Sequence, residues 1–171
     1  MANDQILKPI EYWVERLGLA PHPEGGAYFE SYRSVARHGG DDAGFPAGRS
    51  FATGIYFLVP AGEFSALHRI RSDELWHFYY GAPLEIVVLD QGGELEVKTL
   101  GLGLEHGQAP QHVVTAGAWF GASVAAETGY ALVGCTVSPG FDFRDFELAQ
   151  RDELSALYPQ HAPLIERYTR G

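Results

Sequence analysis

The chain has 171 residues, of which 46% are hydrophobic and 20% charged, as in an ordinary globular protein, and its length favours one domain over residues 1–171. Its formal net charge of −10 argues against nucleic acid or an anionic membrane as a partner, because both would be repelled. The single cysteine, Cys135, excludes an internal disulfide and fits a reducing compartment. The first residues lack the basic and apolar parts of a secretory signal, so we expect a cytoplasmic protein.

The first predicted element is a helix over about residues 5–18. Apolar side chains recur there at steps of three and four residues, which is the period of a helix with one buried face. Asn3 or Asp4 can cap its start, Pro9 is expected in or just before its first turn, and Gly18 can end it.

From about residue 26 to residue 145 the pattern is that of β-structure. Gly and Pro, 21 and 10 in number, separate short segments rich in aromatic and β-branched residues, which is typical of strands joined by turns. Gln91-Gly92-Gly93 indicates a hairpin, and residues 38–48 a surface loop that can act as a lid. A helical tail is expected over about 146–169. The predicted strands are 27–34, 50–59, 63–70, 74–80, 84–90, 94–100, 111–115, 118–124 and 130–137.

The strand pattern allows two all-β architectures, a jelly roll and a sandwich, and one motif distinguishes between them. Residues 62–81 read GEFSALHRIRSDELWHFYYG, in which Gly62, His68, Glu74 and Gly81 are separated by five, five and six residues. Alternation along a strand places positions 68 and 70 on the same face, and Glu74 begins the next strand after a turn. The imidazole and the carboxyl group can therefore converge inside a barrel.

This spacing resembles the first signature of the cupin superfamily, with Ile70 at the position where most metal-binding cupins have a second histidine. The strings PHPEGG at 21–26, AYFE at 27–30 and VSPGFDF at 137–143 are similar to the cupin_5 family. The resemblance implies a jelly-roll barrel, often dimeric, and gives no established activity for the family.

The second cupin signature is largely missing. Aligned on Gly117, it places Phe120 at the usual histidine and Val124 at the usual asparagine. Because a catalytic transition metal needs about three protein ligands, we expect no metal cofactor. His22 or His112 remains an alternative source of a ligand.

The retained pair suggests acid–base chemistry, with His68 and Glu74 as the catalytic residues. A neutral histidine beside a carboxylate in a dry pocket suits proton abstraction next to a carbonyl group. Related cupins such as dTDP-4-dehydrorhamnose 3,5-epimerase use a metal-free His–Asp pair, which by resemblance makes His68 the base. Asp142 and Asp145 are alternative partners for it. Tyr28, Tyr56, Tyr79 and Tyr80 are candidate acids.

Further residues are candidates for ligand binding because they offer polar or aromatic contacts. They are Tyr28, Arg33, Ser65, His77, Trp119 and Asp142. Arg69 is expected to point away from His68 by strand parity, and Cys135 is expected in the core.

Three functions remain open. The first is a small-molecule-binding cupin, with a metal-independent isomerase or epimerase acting on a carbohydrate or similar polar metabolite as its enzymatic form. The second is a non-catalytic binding or structural module with a vestigial pocket, and the third is a metal-dependent enzyme. A homodimer is expected, because cupin barrels commonly pair across sheet edges.

Overall fold

The computed structural model describes residues 7–39 and 44–170 of the chain. Asn3 and Asp4, the predicted helix caps, and four residues of the predicted lid loop lie outside these ranges. Within the described ranges, eleven strands, β1 to β11 in chain order, carry the fold. They are Ala20–Pro21, Ala27–Arg33, Thr53–Pro60, Phe64–Arg69, Asp73–Gly81, Leu84–Leu89, Leu95–Leu100, Gln111–Val114, Trp119–Val124, Tyr130–Ser138 and Glu147–Leu148.

Three short α-helices flank these strands. The first helix, α1, spans Ile10–Leu17 and ends at Gly18 in the left-handed conformation, as predicted. The predicted start near residue 5 is wrong, because residues 7–9 are not helical and Pro9, in an extended conformation, occupies the N-cap position. A residue that precedes proline is disfavoured in the helical conformation, so the helix begins after Pro9. The tail contains α2 (Arg151–Leu157) and α3 (Ala162–Arg167).

The strands form two antiparallel sheets that pack face to face, which confirms the predicted jelly-roll architecture. The six-stranded sheet has the order β1-β2-β3-β10-β5-β8, and the five-stranded sheet has the order β11-β4-β9-β6-β7. Apolar side chains from both inner faces form the main core, with Phe57, Trp76 and Phe120 among its largest members. A second core lies between the outer face of the five-stranded sheet and the C-terminal helices.

Strand parity decides which side chains reach the barrel interior. On β4 the side chain of His68 points inward, whereas Leu67 packs in the second core with Ile165 of α3. Glu74 points inward from β5, on the same face as Trp76. No helix among the described residues is both long and apolar enough to cross a membrane.

Candidate functional site

The inner faces of the two sheets enclose a cavity of about 370 Å³ at one end of the barrel. Its inner part is polar, and its walls toward the mouth are largely aromatic and aliphatic. The polar groups of the inner part are His22, Glu24, His68, Glu74 and Cys135. The apolar wall is formed by Tyr28, Ile55, Val137, Phe141 and Phe143.

His68 pairs with a carboxylate that the sequence motif does not contain. Its Nε2 lies 3.2 Å from Oε2 of Glu24, and both side chains are buried. The hydroxyl group of Ser65 donates a hydrogen bond of 2.9 Å to Oε1 of Glu24. Nδ1 of His22 lies 3.4 Å from Oε2 of Glu24. The same nitrogen accepts a hydrogen bond of 3.3 Å from the backbone N–H of Glu24. Two imidazoles and one hydroxyl group therefore surround a single buried carboxyl group.

The hydrogen bonds determine which nitrogen of His68 carries hydrogen. Nδ1 lies 2.7 Å from the carbonyl oxygen of Ala66, which can only accept, so Nδ1 is the donor. The lone pair of Nε2 in the neutral ring therefore faces Glu24. Burial lowers the pKa of His68 to about 4 and raises the pKa of Glu24 to about 7. At neutral pH the proton between them is consequently held mainly by the carboxyl group, which donates it to Nε2.

Glu74 faces the same cavity but has a different partner. Its carboxyl group lies beside the buried Cys135 thiol, which favours the ionised form of the carboxyl group. Burial first, and then the nearby Glu24 carboxylate, raise the pKa of Glu74 to about 8. Burial and the Glu74 carboxylate also raise the pKa of Cys135 well above its usual value, so the thiol stays protonated. The cavity thus contains two carboxyl groups that are able to exchange protons in the neutral range.

The turn of residues 21–26 places Glu24 against β4. At Gly25, with φ of +117°, a Cβ atom would lie 2.3 Å from the carbonyl oxygen of Phe64, so the turn can approach the strand only with glycine there. Nη2 of Arg170 donates to the carbonyl oxygen of Glu24 at 3.0 Å. The neighbouring Tyr168 accepts the backbone N–H of Leu67 at 2.8 Å, so the C-terminal segment contacts both the turn and β4.

The mouth of the cavity is bordered by the segment 139–147. Arg49, which is 5% exposed, anchors this segment through the carbonyl oxygen of Gly140 and the carboxylate of Asp145. Asp142 forms an ion pair with Arg144, which holds the pKa of the Asp142 carboxyl group well below its usual range. Arg33 forms a two-point ion pair with Glu30 at the rim.

The structure brings five of the eight predicted site residues to the cavity wall and places a sixth directly behind it. Ser65 is the sixth, and it reaches the site through Glu24. The other five are Tyr28, Arg33, His68, Glu74 and Asp142.

His77 and Trp119 lie elsewhere. His77 is on the outer face of the six-stranded sheet, where its ring bonds Thr136 and Gln111. Trp119 lies under the guanidinium group of Arg69, on the outer side of the five-stranded sheet. Arg69 points away from His68, as strand parity predicts.

Other predicted partners are also distributed differently. Asp145, considered as a partner for His68, pairs with Arg49 instead. Of the four tyrosines considered as acids, Tyr28 alone lines the cavity in the described part of the chain. Tyr56 and Tyr79 contact each other on the outer face, and Tyr80 packs against Trp13 of α1.

The donor groups do not fit the metal centre that the fold family implies. Ile70 and Phe120, at the usual histidine positions, are 4% and 1% exposed and belong to the hydrocarbon core. The ring of Phe120 lies 4.1 Å from that of His68 and occupies the space beside it. His22, Glu24 and His68 lie near one another, but within residues 7–39 and 44–170 no three His, Cys, Asp or Glu side chains are arranged as a metal-binding group. The absence of a metal cofactor stays a prediction, which metal analysis of the purified protein tests.

Sequence reasoning missed Glu24 and the role of Cys135. Glu24 lies far from His68 along the chain, in a turn whose sequence contributes to the family resemblance. The available signal was a histidine and a glutamate within six residues that also contain two prolines and two glycines, which restrict the backbone of the turn. Cys135 is buried, as predicted, but strand parity with Val133 and Val137 also indicates that it faces the barrel interior.

Two antiparallel sheets closed around an interior His–carboxylate site define a cupin barrel. The model of the Cupin_5 family, described as "Cupin superfamily (DUF985)", matches residues 11–149, and the chain belongs to this family. Among curated proteins, none matches the sequence.

Solved structures agree with this assignment. The chain is 40% identical to a protein from Shewanella oneidensis, covering 96% of this chain and 99% of that one with a TM-score of 0.86. It is 38% identical to a hypothetical protein from Leishmania major, covering 96% and 100% of the two chains with a TM-score of 0.87. A Bacillus subtilis oxalate decarboxylase mutant, at 12% identity and a TM-score of 0.56 over 88% of this chain and 37% of that chain, shares the fold alone.

Proposed function

We propose that this protein binds a small polar metabolite, such as a carbohydrate, in the barrel cavity and isomerises or epimerises it by metal-independent proton transfer. The observation that carries the proposal is the buried contact of 3.2 Å between His68 and Glu24, with Glu74 facing the same cavity. Buried titratable groups are costly to maintain, and groups whose pKa values are shifted toward neutrality are enriched at active sites.

The pair of Glu24 and His68 is suited to act as a base. When Glu24 is ionised, the pair can accept one proton from a carbon next to a carbonyl group, and the electrons of the C–H bond pass to the carbonyl oxygen. Glu74 is suited to act as the acid, because its raised pKa keeps it protonated up to about pH 8. Return of a proton to a different carbon gives isomerisation, and return to the opposite face of the same carbon gives epimerisation.

This division of roles predicts a narrow pH optimum. The base requires Glu24 to be ionised above its pKa of about 7, and the acid requires Glu74 to be protonated below its pKa of about 8. Because the two carboxyl groups interact, the limbs of the profile belong to the pair rather than to either residue. Activity is therefore expected to rise and fall within the interval around pH 7 to 8.

Hydrogen exchange tests the proposal without knowledge of the product. The protein is incubated in D₂O with D-glucose, D-mannose and D-fructose, and NMR follows the loss of the C–H signal next to the carbonyl group. Exchange is expected with the native protein and is expected to fall by about 10²-fold or more in His68→Asn and Glu24→Gln. His112→Asn is the matched control. The ring of His112, like that of His68, bonds a backbone carbonyl group, but it lies outside the cavity lining.

The other outcomes distinguish the rival functions. If His68→Asn and Glu24→Gln change the free energy of unfolding but neither exchange nor binding of any sugar, the pocket is structural and the proposal is wrong. If near-stoichiometric iron, manganese, nickel or zinc accompanies the protein and exchange disappears on its removal, the reaction is metal-dependent.

A homodimer is part of the proposal. Phe29, Tyr32 and Tyr79 are 46%, 56% and 49% exposed, and parity places them on the outer face of the six-stranded sheet. Apolar residues concentrated on one face favour association. Light scattering is expected to give twice the chain mass, and Tyr32→Asp is expected to reduce it. Val97→Asp, at a similarly exposed position of the other sheet, is expected to leave the mass unchanged. A native protein that is a monomer would contradict the expectation of a homodimer.

A further inference from the structure

The acidic and basic groups that line the cavity are unequal in number. Four carboxyl groups face it, those of Glu24, Glu30, Glu74 and Asp142. Among the described lining residues, the one permanently cationic side chain is that of Arg33. The two histidines do not restore the balance, because burial lowers the pKa of both His22 and His68.

Arg33 is already engaged by protein groups. Its Nε and Nη2 donate to the two carboxylate oxygens of Glu30 at 2.8 and 2.6 Å, and Nη1 donates to the carbonyl oxygen of Phe141 at 3.2 Å. A phosphate or carboxylate ligand at the rim would have to replace these bonds. Deeper in the cavity such an anion would face Glu24 and Glu74 without a cationic partner, and an unpaired buried charge is strongly disfavoured.

The wall of the cavity suits the opposite charge. The rings of His22 and Tyr28 are 4.5 Å apart, those of Phe141 and Phe143 are 4.9 Å apart, and His22 stacks on Phe143 at 5.9 Å. Clusters of aromatic rings attract ammonium groups through their quadrupoles. Here the clustered rings lie next to buried carboxyl groups in one enclosed space.

We propose that the ligand of this cavity is a protonated organic amine, with its ammonium group between Glu24 and Glu74 and its carbon skeleton against the aromatic wall. The inference rests on the proposed small-molecule site and not on catalysis. Cavities of a few hundred Å³ admit small ligands, so an amino sugar fits both this inference and the proposed function.

Binding of a cation has a measurable consequence for protons. An ammonium group between two carboxyl groups favours their ionised forms and lowers the pKa values that burial had raised to about 7 and 8. Near pH 7 the complex therefore releases protons to the buffer. A neutral ligand does not favour the ionised forms, so its binding releases no protons from these groups.

Three compounds that share one ring test the charge directly. D-Glucosamine, D-glucose and D-glucuronate are cationic, neutral and anionic, and their binding is measured at pH 7 by calorimetry in two buffers of different ionisation enthalpy. Glucosamine is expected to bind at least about tenfold more tightly than glucose, with proton release, and glucuronate is expected not to bind. Tighter binding of glucose or glucuronate would overturn the inference and leave the proposed function intact.

Cys135 provides a second measurement that needs no natural ligand. It is the single cysteine of the chain and lines the cavity, so its modification reports on molecules that enter. The probes are 2-aminoethyl methanethiosulfonate, which is cationic, and 2-sulfonatoethyl methanethiosulfonate, which is anionic. Relative to their rates with a free small thiol, the cationic reagent is expected to react at least about tenfold faster, and the ratio should fall with added salt.

Variants assign the effect to the buried carboxyl groups. The rate ratio is expected to fall toward one in Glu24→Gln and Glu74→Gln, and to stay unchanged in Glu96→Gln on the exposed side of the other sheet. A ratio near one in the native protein overturns the inference. A tenfold ratio combined with no sugar binding supports the inference and rejects the carbohydrate as the ligand. Reaction with neither reagent, together with no binding of glucosamine, overturns the inference.

Discussion

Glu24 and His68 form a contact of 3.2 Å between Oε2 and Nε2 in the buried part of the cavity. Because Nδ1 of His68 donates to the carbonyl oxygen of Ala66, the pair has one position for a shared proton. The location of that proton depends on the groups that surround the carboxyl group of Glu24. Substitutions of these groups consequently change the pH response of the site in predictable directions.

Ser65→Ala is expected to raise the pKa of Glu24 further. The Ser65 hydroxyl donates to Oε1 of Glu24 at 2.9 Å and lowers that pKa by stabilising the ionised form. The measurement is an NMR titration of the Glu24 carboxyl carbon. Ser123→Ala is the control, since the buried Ser123 hydroxyl bonds Tyr168 instead. An unchanged Glu24 titration in Ser65→Ala would contradict the assigned hydrogen bond.

Glu74→Gln is expected to protect the fold at alkaline pH. The pKa of Glu74 is about 8 in the folded state against an ordinary value of 4.5, so its contribution to stability is fully present below pH 4.5 and is lost as the pH rises through 8. Glutamine resembles the protonated form and does not ionise. Between pH 6 and pH 9 the native protein should lose more free energy of unfolding than the variant, by on the order of a few kcal/mol.

Denaturation with urea at both pH values measures this difference. Glu96→Gln is the control, because the Glu96 side chain is 63% exposed. Its free energy of unfolding is expected to change with pH as that of the native protein does. If Glu74→Gln and the native protein lose stability in parallel, the carboxyl group at position 74 ionises normally and the assignment of an acid to this position is wrong.

Gly25→Ala is expected to displace the turn that holds Glu24. Its Cβ atom would lie 2.3 Å from a backbone oxygen of Phe64, which cannot yield as a flexible side chain would. Gly129→Ala is the comparison, because its φ of +95° is also in the left-handed region but nothing lies within 4 Å. The strain in Gly129→Ala should cost about 1–2 kcal/mol, and Gly25→Ala should cost about 1–3 kcal/mol more.

Thermal or chemical unfolding measures the loss of unfolding free energy in the two glycine variants. Modification of Cys135 then reports on the cavity in each variant that remains folded. Equal costs at the two positions would mean that the turn tolerates displacement from β4.

Arg49→Met is expected to destabilise the wall at the cavity mouth. It leaves the buried carboxylate of Asp145 without its main partner, a change that typically costs about 3–5 kcal/mol. Arg69→Met is the matched control, since the ion pair of Arg69 with Glu147 is exposed and contributes less than about 1 kcal/mol. Equal losses of unfolding free energy in the two variants would contradict the role of the buried ion pair.

The strands could be predicted from the sequence because their determinants are local. Each of the nine predicted strands agrees with an observed strand to within a few residues. For example, the predicted strand 84–90 corresponds to the observed strand Leu84–Leu89. Alternating side chains and flanking turn residues carry this information. The two-residue strands β1 and β11 were missed, because their pairing depends on tertiary contacts with β2 and β4 rather than on any pattern of their own.

The site could be predicted only where it lies within one motif. His68 and Glu74 are joined by a single strand–turn–strand unit, so fixed spacing and parity place both inside the barrel. Their neighbours in the site, Glu24 and Cys135, come from a turn and from β10, which are distant along the chain. Tertiary packing brings these groups together, and no periodic pattern in one sequence records which distant side chains will meet.

The position of Arg170 against the carbonyl oxygen of Glu24, beside the contact between Tyr168 and Leu67, has a practical consequence. Because both contacts come from residues 168–170, a change in this short segment alters both supports of the buried pair at once. Proteolytic trimming of the same few residues would release them. Recombinant protein for ligand screening should therefore carry its tag at the other end, and its mass should be verified before any negative result is accepted.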